Sequence, residues 1–231
     1  MTPPLSSLAD RLIVFDLDGT LIDSAPDLAA ALNRLLAAEG RAMLPFRQVR
    51  AMIGRGAQKL VARGFAATGG PPADLEAATA RFLAIYGRAL ACHTRPYPGV
   101  PETLERLRGA GARFALLTNK PQAPSEAILA ELGLNGWFEA GLVLGGDAAP
   151  AKKPDPAGLI ALMTAAGVPA ARTILVGDSA ADVDAARAAG VACVAVAYGY
   201  TQEPAAELGA DLVLAGFSDL PAALDAMIAR G

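Results

Sequence analysis

FDLDGTLIDS, residues 15–24, closes the apolar run Leu12-Ile13-Val14-Phe15 with two carboxylates, a glycine and a threonine. A short, continuous apolar run reads as a strand covered on both faces, as in a parallel sheet. Asp16 and Asp18 then sit just past its carboxyl end. Like charges this close repel, and each loses hydration where it is partly enclosed. The pairing implies a positive group beside them.

The same form recurs at Phe114–Leu117, Leu142–Leu144, Ile174–Val176, Val191–Ala197 and Leu212–Leu214. Helical patterns lie between most of these runs. Leu159, Leu162, Met163 and Ala166 share one face ahead of Gly167, and Val183, Ala186 and Ala189 share one ahead of Gly190. Glycine suits a helix stop. Strand alternating with helix predicts an α/β fold: a Rossmann-like parallel sheet with helices on both faces and right-handed crossovers.

Residues 26–90 break the alternation, because no convincing strand falls there. Leu28, Leu32, Leu35 and Leu36 mark one helix face. Residues 46–66 read as a second helix with a break at Gly54-Arg55-Gly56, and 73–90 as a third after Gly69-Gly70-Pro71-Pro72. The expected organisation is a core in two parts, 1–23 and 93–231, with an inserted all-helical domain at 24–92. Its exits, Ser24-Ala25-Pro26 and Thr94-Arg95-Pro96-Tyr97-Pro98-Gly99, contain proline and suit hinges.

At 231 residues and 53% hydrophobic, the chain can bury a sizeable core in one or two domains. A net charge of -3 leaves no electrostatic footprint for nucleic acid or an anionic membrane. Two cysteines, Cys92 and Cys193, make no disulfide framework, read as small buried groups, and fit a reducing cytoplasm. MTPPLSSLADR at the start lacks the two halves of a signal peptide, and no apolar run reaches the ~18 residues of a membrane helix.

Ligands of open α/β sheets bind outside the carboxyl ends of the strands, so the polar residues that follow the runs are the candidates. These are Asp16, Asp18, Gly19 and Thr20; Thr118 and Asn119; and Gly177, Asp178 and Ser179, with Asp182 one helical turn on. Lys152 and Lys153 precede Pro154-Asp155-Pro156 and another helix. Carboxylates gathered at one point, with room for water and phosphate, suit magnesium. Thr118, Asn119 and helix-start N–H groups can hold phosphate oxygens. Taken singly, each has a plainer reading: Asp16-Leu17-Asp18-Gly19-Thr20 as a turn, Thr118-Asn119 as an N-cap, Asp178 and Asp182 as helix-start acids, Lys153 as a surface lysine. Their joint occurrence after successive runs favours a site.

DLDGT at 16–20, LLTNK at 116–120, KKPDP at 152–156 and VGDSAADVDAARAAG at 176–190 resemble, in order, the four motifs of the haloacid dehalogenase-like superfamily. Within it, LIDSAPDLAAALN, IGRGAQKLVARGF, RPYPGV, TNKPQA and AYGY are similar to bacterial phosphoglycolate phosphatases. The resemblance implies that Asp16 attacks phosphorus and that Asp18 is the general acid and base. It implies Mg2+ held by the Asp16 and Asp178 carboxylates and the Asp18 main-chain carbonyl. Thr118 and Asn119 would bind the phosphoryl group and Lys153 would neutralise it. Asp182 would support the metal shell or orient Lys153. The helical insert would be a cap that closes over the site. The implied activity is hydrolysis of a small phosphorylated metabolite, 2-phosphoglycolate first, in the cytoplasm, by a monomer or homodimer.

Alternatives stay open: a phosphatase of sugar phosphates or pyrophosphate, a sugar-phosphate mutase with the same core, or a phosphate-binding module without turnover. A dehalogenase has no use for Asp18, and a phosphonate hydrolase needs a Schiff-base lysine where only Lys59 is offered. Arg55, Lys59 and Arg63 fall at i, i+4 and i+8 and suit one basic stripe. Arg55 between two glycines is the candidate grip on a second anionic group of the substrate; a solvated charged face is the plainer reading. His93, the only histidine, reads as structural, and Trp137 and Phe138 as local packing.

Overall fold

The computed structural model describes residues 8–229. The chain runs β1 (Leu12–Phe15), β2 (Ile22–Asp23), α1 (Ala25–Ala38), α2 (Phe46–Arg50), α3 (Ala57–Ala66), α4 (Leu75–Gly87) and β3 (Arg95–Pro96). It continues as α5 (Val100–Gly109), β4 (Arg113–Leu117), α6 (Gln122–Glu131), β5 (Val143–Leu144), α7 (Ala157–Ala166) and β6 (Thr173–Gly177). Then follow α8 (Ala180–Ala189), β7 (Ala192–Val196), β8 (Leu212–Leu214) and α9 (Leu220–Ile228), with short 3-10 turns in the connections.

All six apolar runs are strands of one sheet in the order β5-β4-β1-β6-β7-β8, and every neighbouring pair is parallel. Successive residues of β1 explain why the runs do not alternate. Leu12 and Val14 pack with Leu159, Leu162, Val183 and Ala186 of α7 and α8. Ile13 and Phe15 pack on the other face with Leu104 and Leu107 of α5, Ile128 of α6 and Leu224 of α9. Strand side chains point to alternate faces, and here both faces are covered. Burying each such side chain contributes roughly 1.5–3 kcal/mol. Gly167 and Gly190 end α7 and α8 at φ +66° and +67°, as expected of C-terminal glycines.

The helical insert has its own apolar cluster, with Leu32, Leu36, Val61, Phe65, Phe82 and Tyr86 at its centre. The second expected helix is interrupted between α2 and α3, with Gly54 and Gly56 both at positive φ. Arg55 therefore precedes α3, which carries Lys59 and Arg63.

The two exits of the insert are paired, which their sequence did not announce. Asp23 and Ile22 pair antiparallel with Arg95 and Pro96. Just beyond, the Asp27 carboxylate accepts from the N–H of His93 at 2.9 Å, the N–H of Thr94 at 2.8 Å and Thr94 Oγ1 at 2.8 Å. The His93 ring nitrogen Nδ1 lies 3.0 Å from the same carboxylate, so the lone histidine is structural here. Cys92 beside it is exposed, contrary to the expectation of a buried thiol, because the chain there runs over the surface of the joint; Cys193 in β7 is buried. Burial opposes the charge of Asp27, but the donors from His93 and Thr94 outweigh it and hold the carboxyl below its ordinary value.

Removing those acceptors strands buried donors. Asp27→Ala is expected to cost about 2–3 kcal/mol in urea unfolding at pH 7. A folded-state pKa below the unfolded 3.8 means that the contribution is complete above that value and lost as pH falls through the depressed one. The gap between wild type and variant should therefore shrink only below about pH 4. A gap constant down to pH 2 would contradict this assignment.

Candidate active site

The chain fills one side of the sheet through β4 and β5, then crosses to the other side of β1 with β6. The β1/β6 boundary is the topological switch point, where ligands of open α/β sheets bind. Asp16 follows β1 and Asp178 follows β6, with Phe15 opposite Val176 in register. The N–H of Asp16 donates to the carbonyl of Val176 at 2.9 Å, which extends the pairing to Asp16 itself. Oxygens of Asp16, Asp178 and Asp182 lie within 4.8 Å of one another, and all three residues are buried.

Lys153 is the positive group that the first motif implied. Its side chain is 2% exposed, and Nζ lies 2.9 Å from Asp16 Oδ1, 2.6 Å from Asp182 Oδ1 and 2.7 Å from the carbonyl of Leu117. Three acceptors take the three N–H bonds of an ammonium. Burial opposes its charge, but Asp16 and Asp182 overcome that and hold the lysine well above its ordinary pKa. Asp182 is fully committed: its other oxygen accepts from the Ser179 N–H at 3.1 Å and Ser179 Oγ at 2.6 Å, closing a capping box at the start of α8. Between the two roles open to Asp182, orienting Lys153 is the one its contacts describe.

Three buried carboxylates thus gather beside one ammonium, which contacts two of them, Asp16 and Asp182. Burial raises Asp16 to about 6, with Lys153 opposing and Asp182 adding to the rise. Burial also raises Asp178 well above its ordinary value, reinforced by Asp16 and Asp182. A divalent cation held by these carboxylates would relieve this excess, and an all-oxygen donor set suits a hard ion. The residues present therefore fit such a group.

Asp18 lines a cleft together with Asp16. Ser24 Oγ donates to its Oδ1 at 2.5 Å, and Lys120 Nζ lies 3.2 Å from both carboxylate oxygens. Gly19 takes φ +87°, and a Cβ there would run into Asp178 Oδ2, so the turn that carries Asp18 needs glycine twice over. Thr118, just past β4, is buried and accepts from the N–H of Lys120 at 3.2 Å. The Asn119 amide donates to the carbonyl of Lys153 at 3.0 Å, joining the second and third motifs. Asp16, Asp18, Thr118, Asn119 and Lys120 form the core side of the cleft, and Leu28, Gly54, Gly56, Leu60, Phe82 and Tyr86 of the insert form its roof. Arg55 is not brought there. It lines a separate hollow with Arg63, Asp178, Ser179 and Tyr200.

Several contributors were not singled out from sequence. Tyr200 donates its N–H to Asp178 Oδ2 at 2.6 Å, while its hydroxyl accepts from the N–H groups of Ser24 and Ala25 at 2.7 and 3.0 Å. One residue thereby ties the Asp178 carboxylate to the start of α1. Arg50 of α2 donates to the carbonyls of Tyr198 and Gly199 at 3.0 and 2.6 Å and lies over the Tyr200 ring. Their signal was the tyrosine pair in AYGY, visible as a motif but silent about its partners.

A family model described as haloacid dehalogenase-like hydrolase matches residues 11–190. A phosphoglycolate phosphatase of Caulobacter vibrioides is 48% identical over 222 residues, 95% of this chain and 92% of the relative. Phosphoglycolate phosphatase 1 of Pseudomonas aeruginosa is 43% identical, over 94% of this chain and 81% of the relative. Among solved structures, a predicted phosphoglycolate phosphatase from Haemophilus somnus superposes with a TM-score of 0.88 at 33% identity, covering 94% of this chain and 99% of that one. The switch-point acids, the buried lysine and the match over 11–190 together establish that the chain belongs to the haloacid dehalogenase-like hydrolases.

Proposed function

We propose that the protein is a magnesium-dependent phosphatase that hydrolyses a small phosphate monoester, 2-phosphoglycolate first, to the alcohol and inorganic phosphate. The observation that carries the reading is the buried Lys153 bridging Asp16 and Asp182 beside Asp178, with Asp16 and Asp18 both lining the cleft. Relatives named phosphoglycolate phosphatase, similar over nearly the whole chain, support the choice of substrate.

In this reading Asp16 attacks phosphorus and the ester P–O bond breaks. Asp18 gives its proton to the departing oxygen, so an alcohol leaves and Asp16 carries the phosphoryl group. Asp18, now a carboxylate, takes a proton from water as the water oxygen attacks phosphorus. The bond to Asp16 breaks and phosphate is released. Thr118 and Asn119 hold phosphoryl oxygens, and Lys153 balances charge on Asp16 and the phosphoryl group. Asp16, Asp178 and the Asp18 carbonyl would hold Mg2+, which when bound offsets the phosphoryl and carboxylate charges. Residues 24–92 act as a cap on the core of 1–23 and 93–231, opening on the paired exits to admit substrate and closing to exclude water. Among the described residues no helix is long and apolar enough to cross a membrane. We place the enzyme in the cytoplasm, as a monomer or homodimer.

Catalytic efficiencies on a panel of phosphate esters test the assignment. With Mg2+, 2-phosphoglycolate should exceed sugar phosphates and pyrophosphate by about 100-fold, the discrimination that roughly 3 kcal/mol of polar contacts provides. With a chelator in place of Mg2+, turnover should vanish and return on adding Mg2+. Comparable rates on many sugar phosphates, with 2-phosphoglycolate poor, would overturn the substrate; dependence on a sugar bisphosphate would point to a mutase.

A further inference from the structure

Resting on the phosphatase reading above, we propose that Lys120 and Tyr86 bind a carboxylate on the leaving group, and so select phosphate esters of short 2-hydroxy acids. Lys120 is 6% exposed and follows the phosphoryl-binding pair in the same loop. Its Nζ lies 3.2 Å from both oxygens of Asp18 and 2.8 Å from the hydroxyl of Tyr86 on α4. An ammonium has three N–H bonds; both Asp18 oxygens and the Tyr86 hydroxyl take them here, the Asp18 pair at a long 3.2 Å, and a ligand carboxylate would take the place of one Asp18 oxygen. The Tyr86 hydroxyl accepts from Lys120 and keeps its own proton to donate. Two donors thus stand together at the wall of the cleft that holds Asp16 and Asp18.

The rest of the wall strengthens the case. Leu28, Leu60, Phe82 and Leu83 make the roof apolar, and Lys120 is the only lysine or arginine lining this cleft among the described residues. A carboxylate brought under that roof loses hydration and must meet a cation to recover it. Arg55, the cation expected from sequence for this task, lines the other hollow.

Position then limits the length of the leaving group. The ester oxygen must come within hydrogen-bond reach of Asp18 to be protonated. Lys120 touches the same carboxylate, so an anionic group falls to it only when that group is close to the ester oxygen. A carboxylate on the carbon bearing the ester oxygen meets this condition. A carboxylate several carbons away would be driven into the apolar roof.

Lys120 also holds Asp18, so loss of activity alone would not separate binding from positioning. The ratio of two substrates does. The catalytic efficiency for 2-phosphoglycolate is divided by that for its uncharged amide, 2-phosphoglycolamide, in wild type, Lys120→Met and Tyr86→Phe. Wild type should favour the carboxylate. Lys120→Met should cut that preference by about 10- to 100-fold, the worth of a hydrogen bond to a charged group, and Tyr86→Phe by about 3- to 10-fold. Tyr86→Phe keeps the ring stacked on Phe82 at 6.1 Å, so it preserves the fold even if Lys120→Met does not. A wild-type preference retained in Tyr86→Phe, and in Lys120→Met where that variant folds, leaves the phosphatase standing and removes this site. A wild type that turns over both esters equally removes the 2-phosphoglycolate assignment and the site with it.

Discussion

Asp16→Asn is expected to fold and to lose turnover by about 10^4- to 10^6-fold, the range seen when a nucleophile is removed. The amide is nearly the same size, so the end of β1 keeps its packing. An amide oxygen can still accept from the Leu17 N–H, which lies 2.7 Å from Asp16 Oδ1. Lys153 keeps Asp182 and the carbonyl of Leu117. Removing one of three crowded carboxylates also relieves the repulsion that, after burial, drives Asp178 upward. Thermal stability in the absence of metal should therefore fall by no more than about 1 kcal/mol, or rise. Affinity for Mg2+, measured by calorimetry, should weaken, because a neutral amide is a poorer ligand than a carboxylate. A folded Asp16→Asn protein with near-normal activity would exclude Asp16 as nucleophile.

The sheet was readable because each strand is covered on both faces. That condition writes a continuous apolar run into the sequence, and β1 shows it: all four of its side chains are buried, two on each side. The acids were readable for a related reason, since buried like charges after a strand demand a cation. What could not be read is where long side chains from separate elements meet. Lys120 was in view inside LLTNK, yet nothing local shows its ammonium lying between Asp18 and a tyrosine from α4. Arg55 illustrates the converse. Its flanking glycines marked a loop at the cleft, and the glycines do line it, but the backbone at positive φ turns the arginine toward the other hollow. The β2–β3 pairing was hidden because two residues per strand carry no periodicity, and because proline in Arg95–Pro96 argues against a strand unless it lies at an edge.

Asp18→Asn separates the two halves of the reaction. Its carboxylate is positioned by Ser24 and Lys120, so an isosteric amide should occupy nearly the same place. With an alkyl ester such as 2-phosphoglycolate, the leaving oxygen needs a proton, and turnover should fall by about 10^2- to 10^4-fold. With p-nitrophenyl phosphate the leaving phenolate needs none, so transfer to Asp16 should survive. Release still requires a base to activate water, and the amide cannot serve. Rapid mixing should then show a burst of about one equivalent of nitrophenolate followed by a slow steady state, the kinetic mark of a trapped phosphoenzyme. Equal impairment of the burst and the steady state would place Asp18 outside proton transfer and leave it a purely positioning role. Unchanged steady-state turnover of the alkyl ester would remove it from the mechanism, because no other carboxylate reaches the cleft side of Asp16 among the described residues.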